Sequence, residues 1–100
     1  MKKKLEPITP GEVLLEEFMK PLGISQNAMA RALDVPAGRI NEIVTGRRAI
    51  TVDTAARLSV FFNTTVELWL NLQTRYDAKV ANERLIPQLR RVIRRHQKAA

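Results

Sequence analysis

Arg39, Asn41 and Glu42 stand within one short stretch, and each has a hydrogen-bonding pattern that suits one base edge of duplex DNA. The arginine fork suits the two acceptors of guanine, the asparagine amide suits the acceptor and donor of adenine, and a glutamate accepts from the amino group of cytosine. Gly38 beside them leaves room for close approach, and Thr45 adds a hydroxyl one turn later. Such chemistry needs the groups on one side of a helix whose other side is buried, because the major groove admits a helix and meets only its outward face. At about 100° per residue, Pro36, Ala37, Ile40, Ile43 and Val44 share one arc. Gly38, Asn41, Glu42 and Thr45 share the opposite arc, with Arg39 at its edge. Plain solvation also produces an exposed polar face, so the pattern by itself leaves both readings open.

A second set of residues has the chemistry for the DNA backbone. Ser25, Gln26 and Asn27 open the preceding helix without a carboxylate, so side-chain donors and the N-H groups of a helix start are offered together to a phosphate. Arg31 follows one turn on, while Met29, Ala30 and Leu33 are left for packing. Arg47 and Arg48, just past the reading helix, are placed to hold a flanking phosphate, which would add affinity and salt dependence without reading sequence.

The elements that must position these groups are all helices. Thr9-Pro10-Gly11-Glu12 has a capping-box spacing with proline at the first helical position. Val13, Leu14 and Phe18 stripe that helix, and Pro21-Leu22-Gly23 ends it. A second helix runs from about Ser25 to Leu33. Asp34 and Val35 turn the chain, Pro36 restarts it, and Gly46 stops a third helix of about eleven residues. Thr51 caps a fourth, and Thr64 with Glu67 repeats the capping-box spacing for a fifth that carries Leu68, Trp69, Leu72, Tyr76 and Val80. From Ala81 onward the pattern stays helical, with a kink or restart expected at Pro87. No strand pattern, repeat or low-complexity segment interrupts this, which predicts an all-α bundle of five or six helices, six being preferred. The expected organisation is a flexible basic N-terminus over 1–8, a helix-turn-helix domain over 9–80 and a basic amphipathic helix over 81–100.

One hundred residues suffice for one core. The net charge of +7 lies in the tails, since residues 5–80 hold eight Lys or Arg against nine Asp or Glu. Basicity therefore says little about the central domain. In the tail, Leu85, Ile86, Leu89, Val92 and Ile93 fall within about 120° of a helical wheel, opposite Arg84, Arg90, Arg91, Arg94, Arg95 and Lys98. That helix has four open uses: packing on its own domain, pairing with a second subunit, holding a partner protein, or lying on DNA. Packing or dimerisation is favoured, and the arginines read first as a solvated face. One histidine, His96, to which no role falls, no cysteine, no Gly-rich phosphate loop and no metal-ligand cluster leave no catalytic set and no expected cofactor. With no long apolar run and no apolar segment after Met1-Lys2-Lys3-Lys4, neither a membrane span nor an export signal is expected, and a cytoplasmic location follows.

The run Ser25-Gln26, Met29-Ala30, Leu33, Val35, Ile40, Ile43 and Gly46 resembles the helix-turn-helix of the phage repressor and Cro class. Pro10-Gly11-Glu12-Val13-Leu14, Pro21-Leu22-Gly23-Ile24-Ser25, Arg39-Ile40-Asn41-Glu42-Ile43 and Glu67-Leu68-Trp69-Leu70-Asn71-Leu72-Gln73 are similar, more narrowly, to the HigA or VapI-like antitoxins. The resemblance covers about residues 7–80. It implies a lambda-repressor-like domain in a homodimer that represses its own toxin–antitoxin operon from a palindromic site on double-stranded DNA. It also implies a partner toxin, usually an mRNA-cleaving ribonuclease of the RelE kind. Asp34 departs from the class, which often has glycine there, although aspartate enters the left-handed region better than most residues. Trp69, Leu72 and Tyr76 read first as core and second as a dimer surface. Two alternatives remain beside the antitoxin: a stand-alone repressor, and a protein- or RNA-binding module that uses the basic tail.

Overall fold

The computed structural model describes residues 7–94 and 96. The expected flexible segment over 1–8 lies outside them except for Pro7 and Ile8, as do Arg95 and Lys98 of the tail. Five continuous helices follow one another, with no strand among the described residues. Helix α1 covers 10–22, α2 Gln26–Leu33, α3 Ala37–Val44, α4 Val52–Phe62, and α5 covers 66–92. The preferred count of six is corrected, because the tail continues the fifth helix instead of starting a new one.

Short polar residues set most of the boundaries. The Thr9, Ser25 and Thr51 hydroxyls accept from the N-H groups of Glu12, Ala28 and Thr54, each satisfying one orphan donor of a helix start. At the fifth helix the cap is Thr65, which accepts from Leu68 N, and not Thr64 as the spacing suggested. The Thr64 hydroxyl instead accepts from Trp69 Nε1 at 2.8 Å. Gly23, Asp34 and Asn63 end α1, α2 and α4 in the left-handed region, and Asp34 (φ 58°) holds the turn as expected.

Two helices absorb a proline without breaking. Within α1 the stretch Leu14–Met19 widens to π-helical turns, and within α5 the stretch Ala81–Leu85 does the same. Each ends two residues before a proline, Pro21 in one and Pro87 in the other. A proline ring inside an α-helix collides with the carbonyl four residues back and leaves it without a partner, and a wider turn relieves both problems. The anticipated kink at Pro87 is thus spread over one wide turn.

The core is formed by Leu14 and Met19 of α1, Met29, Ala30 and Leu33 of α2, Ile40 and Ile43 of α3, Ile50, Ala55 and Leu58 from the α4 region, and Trp69 of α5. Phe18, Phe62 and Trp69 stack at tilted angles, with Phe18 4.8 Å and Phe62 6.0 Å from the indole. The expectation that the tail packs on its own domain is not met along its outer part. Residues 81–92 include no buried side chain, and Leu85, Val92 and Ile93 are 47%, 77% and 59% exposed. No helix among the described residues is long and apolar enough to cross a membrane.

Candidate nucleic-acid interface

Helix α3 lies against α1 on one side and α2 on the other. It is shorter than expected, eight residues instead of about eleven. Pro36 stands outside it as the capping residue, and Thr45 leaves it at φ −89°, ψ 1°. The end is closed by its own loop: Arg47 N and Arg48 N both donate to Glu42 O, and the Thr45 hydroxyl donates to Asn41 O at 2.7 Å. Of the arc expected to be buried, Ile40 and Ile43 are buried and Val44 is half-buried, whereas Pro36 and Ala37 at its start are exposed, where the helix has only just begun. On the opposite face Gly38, Asn41 and Thr45 are exposed, and Arg39 and Glu42 are half-buried. A Cβ added to Gly38 would meet nothing within 4 Å, so the backbone there lies open to an approaching surface.

The two candidate groups, base-facing and phosphate-facing, are joined. Asn41 Nδ2 donates to Gln26 Oε1 at 3.0 Å, linking the middle of α3 to the first residue of α2. Arg47 Nη2 donates to Asn41 Oδ1 at 2.8 Å and Arg47 Nε donates to Thr45 Oγ1 at 3.1 Å. The arginine expected on a flanking phosphate is therefore folded back onto the exposed face of α3. Ser25 sits at the α2 start with its oxygen occupied by the Ala28 N-H, and Asn27 and Arg31 are exposed on the same helix. No acidic residue lies in that first turn.

Glu42 and Arg48 hold each other through Nε and Oε1 at 2.7 Å. The hydrogen bond from Arg48, then its charge, keeps the Glu42 carboxyl below its ordinary value of 4.5. Because its folded value is depressed, the pair is present above the ordinary value and is lost as pH falls through the lowered one. The carboxylate also neutralises Arg48 toward an approaching phosphate. In a Glu42→Gln variant the negative charge that offsets Arg48 is gone and at most a neutral hydrogen bond remains, so affinity for a duplex of scrambled sequence is expected to rise, most strongly at low salt. The excess should shrink as the pH falls through the lowered value and the wild-type carboxyl protonates. Anisotropy titrations at two pH values check this, and equal affinity of the two proteins at neutral pH would show that the pair does not gate Arg48.

Three structural supports were not visible from spacing. Arg57 donates through Nη1 to Leu33 O at 2.8 Å and through Nε to Asp53, stapling α4 to the end of α2 just before the turn. The i,i+4 spacing of Asp53 and Arg57 signals the ion pair but not the carbonyl. Gln73 Oε1 accepts from Ile50 N at 2.8 Å, fixing the loop after α3 to α5. Gly11 lies against the Ile43 carbonyl, so close that a Cβ there would overlap it. The reading of Trp69 as dimer surface is corrected: the ring is 0% exposed and belongs to the core, while Leu72 and Tyr76 are half-buried.

A family model described as helix-turn-helix matches residues 15–69. Virulence-associated protein I of Dichelobacter nodosus is 50% identical over 82 residues, covering 82% of this chain and 76% of that protein. The solved structure of Pseudomonas aeruginosa antitoxin HigA with the higBA promoter superposes with a TM-score of 0.83 at 40% identity, covering 91% of this chain and 99% of that one. Antitoxin GraA in complex with its operator gives 0.82 at 40% identity, covering 98% and 99%.

Proposed function

As this chain belongs to the helix-turn-helix family, among its HigA- and VapI-like members, we propose that it is a sequence-specific DNA-binding repressor acting as the antitoxin of a toxin–antitoxin operon. One observation supports this best: the polar outward face of α3 is hydrogen-bonded through Asn41 and Gln26 to the start of α2, so groups suited to bases and groups suited to phosphates form one surface. In this reading Gly38, Arg39, Asn41, Glu42 and Thr45 face base edges. Ser25, Gln26, Asn27, Arg31 and Arg48 face the backbone, Arg48 after leaving Glu42. A homodimer would present two α3 helices to successive major grooves of a palindromic site, about 34–36 Å apart. Repression follows from covering the promoter, and a ribonuclease toxin of the RelE kind is the proposed protein partner.

Fluorescence-anisotropy titration against the protein's own upstream DNA and a scrambled duplex, at two salt concentrations, tests the repressor. Preference for the native duplex that persists at higher salt supports base reading. Equal, steeply salt-sensitive binding to both duplexes would leave only phosphate attraction. Co-expression with the neighbouring gene product tests the antitoxin, which requires a stable complex and rescued growth. The Arg39 guanidinium makes no hydrogen bond or ion pair with the described residues, so its fork is available for a guanine. Arg39→Ala is expected to lower operator affinity by about 1–3 kcal/mol and to relax the preference at one base pair. An unchanged preference between operator and scrambled DNA would remove Arg39 from the reading face.

A further inference from the structure

Arg47 holds a position that simple flanking of the reading helix does not explain. A guanidinium only donates, so the atom of Asn41 that faces it must be the carbonyl oxygen Oδ1. That orientation turns the Asn41 NH2 toward Gln26, and Gln26 must then offer its own oxygen Oε1 in return. With Oε1 committed inward, both Gln26 Nε2 hydrogens are left for an outside acceptor. The chain of assignments begins at Arg47 and ends at the start of α2. Thr45 fixes its origin, since its hydroxyl hydrogen goes to Asn41 O and its oxygen therefore faces Arg47 Nε.

After these bonds Arg47 retains both Nη1 hydrogens and one on Nη2, Asn41 retains one amide hydrogen, and Gln26 retains two. The row from α2 across α3 to the following loop is thus a row of donors. A phosphate can also receive the fork that Arg47 retains, but Arg47 is held against Asn41 on the outward face of α3, the face that the repressor reading turns toward base edges. The paired acceptors that match a fork in the major groove are N7 and O6 of guanine.

We infer that Arg47 is a specificity-determining residue, which fixes the amide orientations of Asn41 and Gln26 and turns its free fork toward a guanine next to the base pair that Asn41 meets. The inference rests on the repressor reading above, and deepens it by naming the acceptor pattern. Arg47 acts on one base pair directly and on the neighbouring one as a positioning residue.

The test compares wild type, Arg47→Ala and Arg47→Lys by anisotropy on the segment footprinted in the protein's own upstream DNA. Each base pair of one half-site is changed in turn, a scrambled duplex serves as reference, and every titration is repeated over a salt series. Arg47 is exposed and outside the helices, and far-UV circular dichroism verifies the fold of both variants. For Arg47→Ala, preference at one guanine is expected to fall about 5- to 150-fold, with a smaller loss at the adjacent pair. Affinity for scrambled DNA and the salt slope should stay near wild type. Arg47→Lys keeps the charge without the fork and should lose the same discrimination. A uniform loss on every duplex, with the salt slope reduced by about 0.9, would make Arg47 a phosphate clamp and overturn the inference while leaving the repressor intact. Full discrimination by Arg47→Lys would overturn it as well. If wild type itself does not distinguish operator from scrambled DNA, the repressor reading fails first and the inference with it.

Discussion

Gly11→Ala is expected to cost about 3 kcal/mol or more, the upper end of what an inserted methyl does in a packed interior. A Cβ at this position overlaps the Ile43 carbonyl and stands 2.8 Å from Val44 Cα. Both obstacles are backbone, so no rotamer change relieves them, and α1 and α3 have to part. In an ordinary helix the same exchange is favourable by about 1 kcal/mol, which the overlap outweighs. For a domain of this size the midpoint of thermal unfolding should drop by roughly 12 °C or more. Operator affinity should fall with it, because the displaced helix is the reading helix. Gly38→Ala is the internal comparison: a Cβ there meets nothing, and the helix should gain stability instead of losing it. Circular-dichroism melts of the two variants decide the matter. A Gly11→Ala protein that melts with wild type would mean that α1 does not press on α3.

Trp69→Ala is the second large effect, expected at about 3–5 kcal/mol. The indole is fully buried between Phe18 and Phe62, and its Nε1 donates to the Thr64 hydroxyl. Alanine empties the junction of α1, α4 and α5 and takes from the Thr64 hydroxyl the donor it accepts from, leaving only its bond to Thr65 O. Since whole domains are stable by only about 5–15 kcal/mol, the variant is expected to lose a large share of its folded population on warming. Thr64→Val separates the two contributions, because it keeps most of the volume but leaves the buried indole N-H without an acceptor, at about 1–3 kcal/mol. Urea titration of the three proteins measures both steps. A Trp69→Ala variant no less stable than Thr64→Val would contradict the central place given to the ring.

Much of this arrangement is legible in residue order. Thr9, Ser25 and Thr51 act within three residues of themselves, and such local chemistry shows directly in spacing. The two faces of α3 follow from period alone, and the left-handed Asp34 from the short turn it must close. Adjacent threonines are harder. Thr64 and Thr65 are equivalent as caps until the indole claims one of them, and that competitor approaches from the next turn of the helix. The spacing reads α3 as longer than it is because Pro36 and Thr45 have side chains that fit the ends of a helix but backbone angles outside it. At Pro87 the residue order leaves a kink and a restart both open, because the widened turn that keeps α5 continuous leaves no mark in composition. The cross-links of the interface lie beyond periodicity altogether. Gln26 and Asn41 are fifteen residues apart, and whether their amides meet depends on how α2 and α3 cross. Arg47 read as a loop cation because nothing in its neighbours announces that the loop folds back.

The burial of Trp69 also makes the molecule its own reporter. It is the only tryptophan in the chain, and it is sealed from solvent among apolar rings. Its emission should lie to the blue while the core is intact and move to the red when water reaches the indole. A DNA duplex seated on the outer face of α3 cannot touch a ring that is 0% exposed. Unlabelled protein thus carries an optical signal for the state of its core, and a dye on the DNA carries a separate one for occupancy. Read together in one cuvette, the two colours distinguish a variant that has lost its fold from one that has lost only its grip.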